Sequence, residues 1–286
     1  LPFVQFVDGK GELTKETPYA GIFVKKADPE VLKDLEAQGK LFDAPKFEHE
    51  YPHCWRCDTP LVYYAKPSWY IEMSKLKDQL VANNNTVNWY PEYVGEKRFG
   101  NWLAEVKDWA ISRSRYWGTP IPIWRCECGH LHCIGSRKEL VELANESIDE
   151  SIELHRPYVD DVTLTCPECG KPMHRIPEVM DCWFDSGSTH YASLMHDHPD
   201  LWPADVYLEG ADQYRGWFQS SLLTSVGALD RGAPFKQVLT HGWTVDGQGR
   251  AMHKSLGNGV DPADLIKDYG ADIVRLWAAS SDYHAD

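Results

Sequence analysis

The chain has 286 residues, of which 43% are hydrophobic and 25% charged, an ordinary composition for a folded protein with a buried core. Its net charge of −14 argues against non-specific nucleic-acid binding through a broad basic face, although a local basic patch is compatible with it. No segment has the length and apolar character of a membrane-spanning helix, and no secretory signal opens the chain. Because Leu1 lies in a strand-like run, we expect the natural chain to begin upstream.

Residues 1–50 are predicted to form short strands followed by a helix. The helix is expected at 29–38, with Asp28 as its N-cap, Pro29 in its first turn and Gly39 ending it. Residues 51–176 form an irregular region rich in cysteine, tryptophan and proline. In this region Ser136, followed three residues later by Glu139, is typical of a capping box that opens a helix.

The remaining residues, from 177 onward, have the pattern of an α/β fold with a parallel sheet. A short apolar strand is predicted at 205–209, a helix at 212–229 and a second strand at 236–240. This order is a strand–helix–strand crossover, which is right-handed in parallel sheets. Two further helices are expected, one capped by Asp261 and one at 271–280.

Eight cysteines without an export signal indicate thiolates and metal rather than disulfides, in a reducing, cytoplasmic setting. Cys126 and Cys128, before a glycine, and Cys166 and Cys169, also before a glycine, form two half-sites about forty residues apart. Together they predict a closed four-sulfur zinc site, which would be structural because no coordination position is open. Buried reduced cysteines are the alternative, and Cys133 is a weaker candidate ligand.

The other cysteines are less informative. Cys54 and Cys57 form a possible second half-site without a second pair in the sequence. Cys182 is predicted to be a small core residue. Residues 97–125 hold a basic island in an acidic chain, which the sequence explains equally well as a solvated helix face.

Two segments have the residue types that nucleotide chemistry needs. Lys254 lies at the centre of a basic loop, 250–258, and could neutralise charge on a polyphosphate. Glu209, Gly210 and Asp212 lie where the first strand ends and its helix begins, the place where ligands bind in doubly wound sheets. Helix capping would explain the two acidic residues equally well.

Several motifs together resemble the class I aminoacyl-tRNA synthetases of the isoleucyl type. Residues 252–258 (Met-His-Lys-Ser-Leu-Gly-Asn) resemble the Lys-Met-Ser-Lys-Ser signature loop. Residues 51–57 (Tyr-Pro-His-Cys-Trp-Arg-Cys), 108–113 (Asp-Trp-Ala-Ile-Ser-Arg), 116–122 (Tyr-Trp-Gly-Thr-Pro-Ile-Pro), 181–187 (Asp-Cys-Trp-Phe-Asp-Ser-Gly) and 209–218 are similar to the isoleucyl enzyme. The valyl enzyme would be expected to have Gly-His-Arg-Ile-Pro at 118–122.

The resemblance implies a domain order and roles for individual residues. Residues 1–50 would be the tail of the inserted editing domain, 51–176 a connective zinc region, 177–260 the second half of a Rossmann-like catalytic domain, and 261–286 the start of a helical stem-contact region. The implied ligands are isoleucine, ATP with Mg²⁺, and tRNA(Ile). The implied adenylate-site residues are Glu209, Gly210, Asp212 and Gln213, with Trp183 and Trp217 walling the isoleucine side chain. The implied ATP-site residues are His241, Gly242, Trp243, Met252, Lys254 and Ser255.

The chain departs from the family pattern in two ways. Ala251 and His253 replace the first lysine and the first serine of the signature loop. No His-x-Gly-His motif occurs, so the first half of the nucleotide fold is expected to be missing and the isolated chain to be inactive. For Trp183 and Trp217, core packing is the alternative to a pocket wall. A non-catalytic, zinc-stabilised tRNA-binding module and a valyl-type fragment are the alternatives for function.

Overall fold

The computed structural model describes residues 4–54, 57–115 and 117–282, with only the backbone of Ser255. Of the motif residues above, Trp55, Arg56 and Tyr116 lie outside this description. The chain divides into two compact units, Leu1–Pro67 and Ser68–Asp286. Within the described residues, no helix is both long and apolar enough to cross a membrane.

Among its described residues, the first unit contains one helix, Val24–Ala37. It starts earlier than predicted, and Asp28 is not its N-cap. The N–H of Val24 donates to the Gly11 carbonyl at 2.9 Å, so the helix begins as the chain leaves this contact. Pro29 therefore lies inside the helix, where it removes one backbone hydrogen bond. Gly39 follows the helix in a left-handed conformation (φ 67°), as a residue that ends a helix often does.

A three-stranded parallel sheet is the first structural layer of the second unit. Gln237–His241 is the central strand, flanked by Tyr207–Gly210 and Asn88–Tyr90. The crossover helix, Trp217–Leu229, joins the first two of these strands, which confirms the predicted strand–helix–strand unit. Asn88–Tyr90 was not predicted, and it brings a segment of the cysteine-rich region into the same sheet.

The crossover helix packs its apolar residues onto the sheet. Phe218, Leu222 and Val226 are buried in one cluster with Trp89 and Val238 of the strands. Burying each such side chain stabilises the fold by about 1.5–3 kcal/mol. This cluster holds the helix against the sheet.

The helical pattern predicted at 212–229 is interrupted. Ala211–Arg215 is a 3₁₀ helix, and the crossover helix starts only after Gly216. The backbone of Gly216 (φ −135°, ψ −114°) lies outside the helical region. A Cβ at this position would lie 2.4 Å from the Gln213 Oε1, so any side chain here would displace the end of the Gln213 side chain.

A four-stranded antiparallel sheet, here called the cysteine sheet, has a core of its own. Its strands lie in the order Leu131–Cys133, Ile123–Arg125, Pro172–Arg175 and Thr163–Thr165. Trp124 is 1% exposed and packs in a buried cluster with Leu140, Leu164 and Met173. The Ile176 N–H donates to the Ile123 carbonyl at 2.9 Å, so the two ends of this segment meet.

The remaining elements are short and connect these layers. The other helices are Lys77–Asn84, Gly100–Ala104, Arg137–Leu143, Cys182–Gly187, Pro262–Tyr269 and Ala271–Ser280. Two antiparallel strand pairs are Tyr70–Ile71 with Trp109–Ala110 and Ser112–Arg113 with Val179–Met180. The 3₁₀ and π turns are Met73–Leu76, Val94–Phe99, Tyr158–Asp161, His190–Met195, Pro199–Leu201 and Lys254–Leu256.

Two of the predicted helix caps form in the structure. Ser136 accepts a hydrogen bond from the Glu139 N–H (3.1 Å), and Asp261 accepts one from the Ala263 N–H (2.8 Å), so both predicted helix starts are confirmed. The predicted burial of Cys182 is wrong. This residue is exposed because it is the first residue of its helix and follows the buried Asp181 cap.

Candidate functional site

The four cysteines of the two predicted half-sites lie together at one end of the cysteine sheet. Their sulfur atoms are all within 4.8 Å of one another. The Cys126 and Cys169 sulfurs are 3.4 Å apart, and those of Cys128 and Cys166 are 3.7 Å apart. In a tetrahedral site with zinc–sulfur bonds of about 2.3 Å, the sulfurs are about 3.8 Å apart. The cluster therefore has the donor atoms and the spacing that zinc requires.

The local backbone holds these sulfurs and favours a thiolate at Cys166. Gly129 (φ 96°) and Gly170 (φ 70°) allow the tight turn that follows each pair. Burial raises the pKa of the Cys166 thiol, but hydrogen bonds from the backbone N–H groups of Cys169 and Glu168 outweigh it and lower that pKa to about 7. A low thiol pKa is typical of a metal-binding cysteine.

The other cysteines do not join this cluster. Cys133 lies exposed on the strand Leu131–Cys133, and within the described residues it is not among the four clustered sulfurs. Cys54 is half-buried and Cys57 exposed in the first unit, where the Cys57 sulfur is 3.2 Å from the Thr59 hydroxyl. A second metal half-site at Cys54 and Cys57 remains a prediction.

Polar groups meet at the carboxyl ends of the parallel strands. Glu209 pairs in register with Thr240, and Gly210 with His241, the last residue of its strand. The Glu209 side chain is exposed to solvent. A Cβ on Gly210 would lie 2.6 Å from the Asp212 Oδ1 and 3.8 Å from the Trp243 ring. Because Gly210 has no side chain, the Asp212 carboxylate and the exposed Trp243 ring can lie close to its backbone.

A second group surrounds the start of the crossover helix. The Gln213 side-chain oxygen accepts a hydrogen bond from the Trp217 N–H at 2.9 Å and so caps the helix. The Trp217 indole N–H donates to the Ser186 carbonyl at 3.0 Å. A Cβ on Gly216 would lie 3.1 Å from the Trp183 ring, which is 41% exposed. Trp183, Gln213 and Trp217 thus meet around Gly216.

The two tryptophans differ in their packing. The Trp217 ring stacks on Tyr207 with centroids 4.0 Å apart and packs against the buried core. One face of this ring is therefore committed to the core, as the packing alternative predicts. The Trp183 ring is more exposed and is the better placed of the two to contact a ligand.

The segment after the central strand folds back on itself. The His241 Nδ1 is 2.8 Å from the Gly242 carbonyl oxygen. Farther along, the Asn258 amide donates to the Asp246 carboxylate at 2.9 Å and to the Ala251 carbonyl at 3.2 Å. Hydrogen bonds from the Asn258 side chain and from the Arg250 N–H lower the pKa of Asp246 to about 2. Asp246 is therefore a carboxylate that braces the loop.

The braced loop presents Lys254 to solvent. Met252 is half-buried and its N–H donates to the Thr244 carbonyl, whereas Lys254 is exposed in the 3₁₀ turn Lys254–Leu256. Within the described residues, no hydrogen bond or ion pair engages the Lys254 ammonium group. The Ser255 side chain, predicted to contact ATP, lies outside the description. The hydrogen bonds described for this loop connect residues within 244–258, and none of them links Lys254 to Glu209.

Sequence reasoning missed a buried histidine that supports the site. His190 is 1% exposed and contacts Thr224 of the crossover helix, whose hydroxyl donates to the Gly187 carbonyl at 2.7 Å. These contacts hold the helix carrying Trp183 against the crossover helix. A single histidine among polar residues gives no sequence signal, so only the packing reveals it.

The family model described as tRNA synthetases class I (I, L, M and V) matches residues 12–286. The chain therefore belongs to the class I tRNA synthetases, and the predicted α/β synthetase fold is confirmed.

Within this family, the isoleucyl-type resemblance is also confirmed. The chain is 48% identical over 282 residues to "Isoleucine--tRNA ligase" of Clostridium acetobutylicum and 49% identical over 284 residues to that of Clostridium novyi. Each match covers 96% of this chain and 27% of the relative, so the chain spans about a quarter of their length. The solved ternary complex of Agrobacterium radiobacter K84 agnB2 LeuRS with tRNA and LeuAMS matches 63% of this chain and 25% of that chain, with 30% identity and a TM-score of 0.47.

Proposed function

We propose that this chain is part of an isoleucine–tRNA ligase, which activates isoleucine with ATP and transfers it to tRNA(Ile). The observation that carries the proposal is the 48% identity to an isoleucine–tRNA ligase over nearly the whole chain. The cluster of Glu209, Gly210 and Asp212 at the carboxyl ends of the strands supports it, because nucleotides bind there in such folds. The full enzyme would act in the cytoplasm.

The residues around Gly210 would hold the aminoacyl-adenylate. The exposed Glu209 carboxylate would bind the adenylate, as a carboxylate can grip an ammonium group or a ribose hydroxyl. Asp212 and Gln213 would lie beside the ribose and the amino acid. Gly210 supports this role because it leaves the backbone open to close approach.

Aromatic rings would form the apolar part of the site. Trp183 and the free face of Trp217 would wall the isoleucine side chain, and His241, Gly242 and Trp243 would border the adenine. An apolar pocket separates isoleucine from valine by only about 1–3 kcal/mol, so the full enzyme would also need to edit mischarged tRNA. Residues 1–50 would be the tail of the domain that does so.

In the activation step, a carboxylate oxygen of isoleucine forms a bond to the α-phosphorus of ATP. The bond from that phosphorus to the bridging oxygen breaks, and pyrophosphate leaves with its electron pair. Lys254 would offset the charge that builds on this leaving group, with Met252 and Ser255 of the same loop beside the nucleotide. The ATP substrate would enter as its Mg²⁺ complex, in which the metal neutralises phosphate charge.

The four clustered cysteines would hold a structural Zn²⁺ ion. All four sulfurs would serve as ligands, which would leave no position for a substrate. The metal would tie the turn after Ile123–Arg125 to the turn after Thr163–Thr165. It would contribute to the stability of the cysteine sheet and take no part in amino-acid activation.

Binding of a non-hydrolysable isoleucyl-adenylate analogue to the 286-residue chain tests the proposal by calorimetry. We expect binding that is weaker for the leucyl analogue and weakened by Glu209→Gln. The matched control is Glu142→Gln, on the exposed face of Arg137–Leu143, which should bind like the wild type. Equal binding of both analogues, or no effect of Glu209→Gln, would contradict the proposal.

The isolated chain is expected not to form isoleucyl-adenylate itself. It contains no His-x-Gly-His motif, and positioning and electrostatics supply most of the catalysis in this chemistry. Isoleucine-dependent ATP–pyrophosphate exchange measures this directly. Exchange clearly above the level of a Lys254→Ala control would show that the residues present suffice.

A further inference from the structure

A buried carboxylate, that of Asp181, lies directly before the helix that carries Trp183. Its Oδ2 accepts a hydrogen bond from the Trp109 indole N–H at 3.1 Å and lies 2.9 Å from the Arg113 guanidinium. Its Oδ1 accepts from the Trp183 N–H at 3.4 Å. Burying a charge destabilises a fold unless hydrogen-bond donors surround it, so these three donors are what allow Asp181 to lie here.

The main chain of Asp181 is held as well. Its N–H donates to the Ile111 carbonyl at 2.7 Å, and its carbonyl accepts from the Phe184 N–H at 2.8 Å. Trp109, which lies 72 positions before Asp181, packs against the buried cluster of the crossover helix, and its ring centroid is 6.3 Å from that of Phe184. Asp181 therefore connects the start of the helix Cys182–Gly187 to the core of the second unit.

The helix Cys182–Gly187 depends on such anchors because it has only six residues. A helix of this length is not stable by itself in water. Its last residue, Gly187, lies against the crossover helix, where a Cβ would be 2.7 Å from the Ser220 backbone. Trp183 is the second residue of the helix, so the orientation of its ring is set by the first turn, which Asp181 holds.

The arrangement requires a carboxylate rather than an amide. Asparagine is as good a helix N-cap as aspartate, so capping alone would accept either residue. An asparagine at 181 has a single acceptor oxygen. If this oxygen faces the Trp183 N–H, the NH₂ group meets the donors of Trp109 and Arg113. If the amide is turned round, the NH₂ group meets the Trp183 N–H. Only aspartate satisfies both sides at once, which indicates a task beyond capping.

We propose that Asp181 is a positioning residue for the Trp183 ring and thereby sets how strictly the site selects the apolar side chain of its ligand. Asp181 is buried and acts only through the ring. A ring held in one orientation can distinguish side chains that differ by one methylene group, and a ring that moves loses this contact. The positioning of Trp183 is independent of the proposed function, and only the identity of the selected side chain, isoleucine, rests on it.

Fluorine NMR of the chain labelled with 5-fluorotryptophan tests the positioning without a ligand. The Trp183 signal is identified by its loss in Trp183→Phe. In Asp181→Asn this signal should shift or split, because the ring is no longer held in one orientation, whereas the signal of Trp124 in the cysteine sheet should stay in place. An unchanged Trp183 signal would overturn the proposal.

The matched control is Glu146→Gln. The Glu146 carboxylate also uses both oxygens as acceptors, from the N–H and the hydroxyl of Thr163 on the outer strand of the cysteine sheet. This control removes the same charge and creates the same mismatch of donors. It should leave the Trp183 signal as in the wild type.

Calorimetry with non-hydrolysable isoleucyl- and valyl-adenylate analogues tests the selectivity. One methylene group in an apolar pocket gives the wild type a preference for the isoleucyl analogue of about 10- to 200-fold. We expect Asp181→Asn to lower this preference about fivefold, because the displaced ring loses its contact with the additional methylene group. A general loss of stability would weaken both analogues equally. Equal weakening would therefore overturn the proposal, and Glu146→Gln should keep the wild-type preference.

A second variant, Trp109→Phe, decides the question if Asp181→Asn does not fold, as judged by circular dichroism. It keeps an aromatic ring against the core and removes the indole N–H that Asp181 accepts. The Trp183 signal should move in this variant too, and an unmoved signal would overturn the proposal.

The two proposals fail in different ways. If the wild type binds neither analogue, the proposed function is rejected, and the fluorine signal alone decides whether Asp181 positions Trp183. If Asp181→Asn binds both analogues with the wild-type preference, the proposed function is retained and the role of Asp181 is rejected.

Discussion

Lowering the pH should destabilise the second unit through one buried side chain, His190. The Trp202 indole N–H donates to the His190 Nδ1 at 3.3 Å, which makes this nitrogen an acceptor. The proton then lies on Nε2, which donates to the Thr224 hydroxyl at 3.0 Å. Protonating Nδ1 would set two N–H groups against each other in a buried place. The folded state therefore needs the neutral ring.

The size of the effect follows from the pKa of this ring. Burial lowers the pKa of His190 from 6.5 to about 4 in the folded chain. The unfolded chain binds the proton first as the pH falls, so the stability due to neutral His190 is complete above pH 6.5 and is lost towards pH 4. One proton changes the free energy of unfolding by up to about 1.4 kcal/mol per pH unit. Between about pH 6.5 and 4.5 we expect a loss on the order of 2 kcal/mol.

Urea unfolding of the wild type and of His190→Gln at several pH values measures this effect. The neutral amide cannot titrate, so the stability advantage of the wild type over the variant should shrink as the pH falls through this window. Carboxylates such as Asp160, whose pKa is lowered by hydrogen bonds from Arg156 and Arg175 against the effect of burial, affect both proteins alike and cancel in the difference. A constant difference between the two proteins from pH 7 to about 4.5 would refute the role given to His190.

Three further predictions concern zinc, the signature loop and the turn before the crossover helix. The purified chain should contain about one zinc per molecule, and Cys166→Ser/Cys169→Ser should lose it in elemental analysis. In the full-length enzyme, Lys254→Ala should slow adenylate formation about 100- to 1000-fold in single-turnover kinetics with little effect on isoleucine binding, because the contact forms as charge builds on pyrophosphate. His253→Ser should cost much less, and the opposite order would mean that histidine contacts the phosphate. Gly216→Ala should displace the Gln213 cap and lower the free energy of unfolding by about 1 kcal/mol.

Local patterns predicted those parts of the structure that depend on near neighbours. The strand–helix–strand unit follows from periodicity within about 35 residues, and the four-cysteine cluster follows from two paired half-sites that carry their own turns. The caps at Ser136 and Asp261 depend on residues two or three positions away. All of these contacts form with little help from the rest of the chain.

The features that were missed depend on distant contacts. The strand Asn88–Tyr90 has three residues, too few to show a period, and its partner strand lies far along the chain. The helix Val24–Ala37 starts early because of a contact with Gly11, which outweighs the usual position of proline in a first turn. Lys97 and Arg215, 118 positions apart, line the same groove only because the fold brings them to one surface. In the sequence, Lys97 belongs to a basic island that a solvated helix face would explain equally well.

The meeting of the two ends of the cysteine segment has a consequence for redesign. The Ile123 carbonyl and the Ile176 N–H are 2.9 Å apart, so a short turn could replace the residues between them. In the parallel sheet, the Thr240 hydroxyl donates to the carbonyl of Tyr90, which lies 150 positions earlier, so the connection between these two strands is long. Shortening this connection by about fifty residues changes its loop-closure free energy by only about 0.4 kcal/mol. We therefore expect that a larger or smaller segment can replace the residues between Ile123 and Ile176 while the strands that carry Glu209 and His241 keep their register.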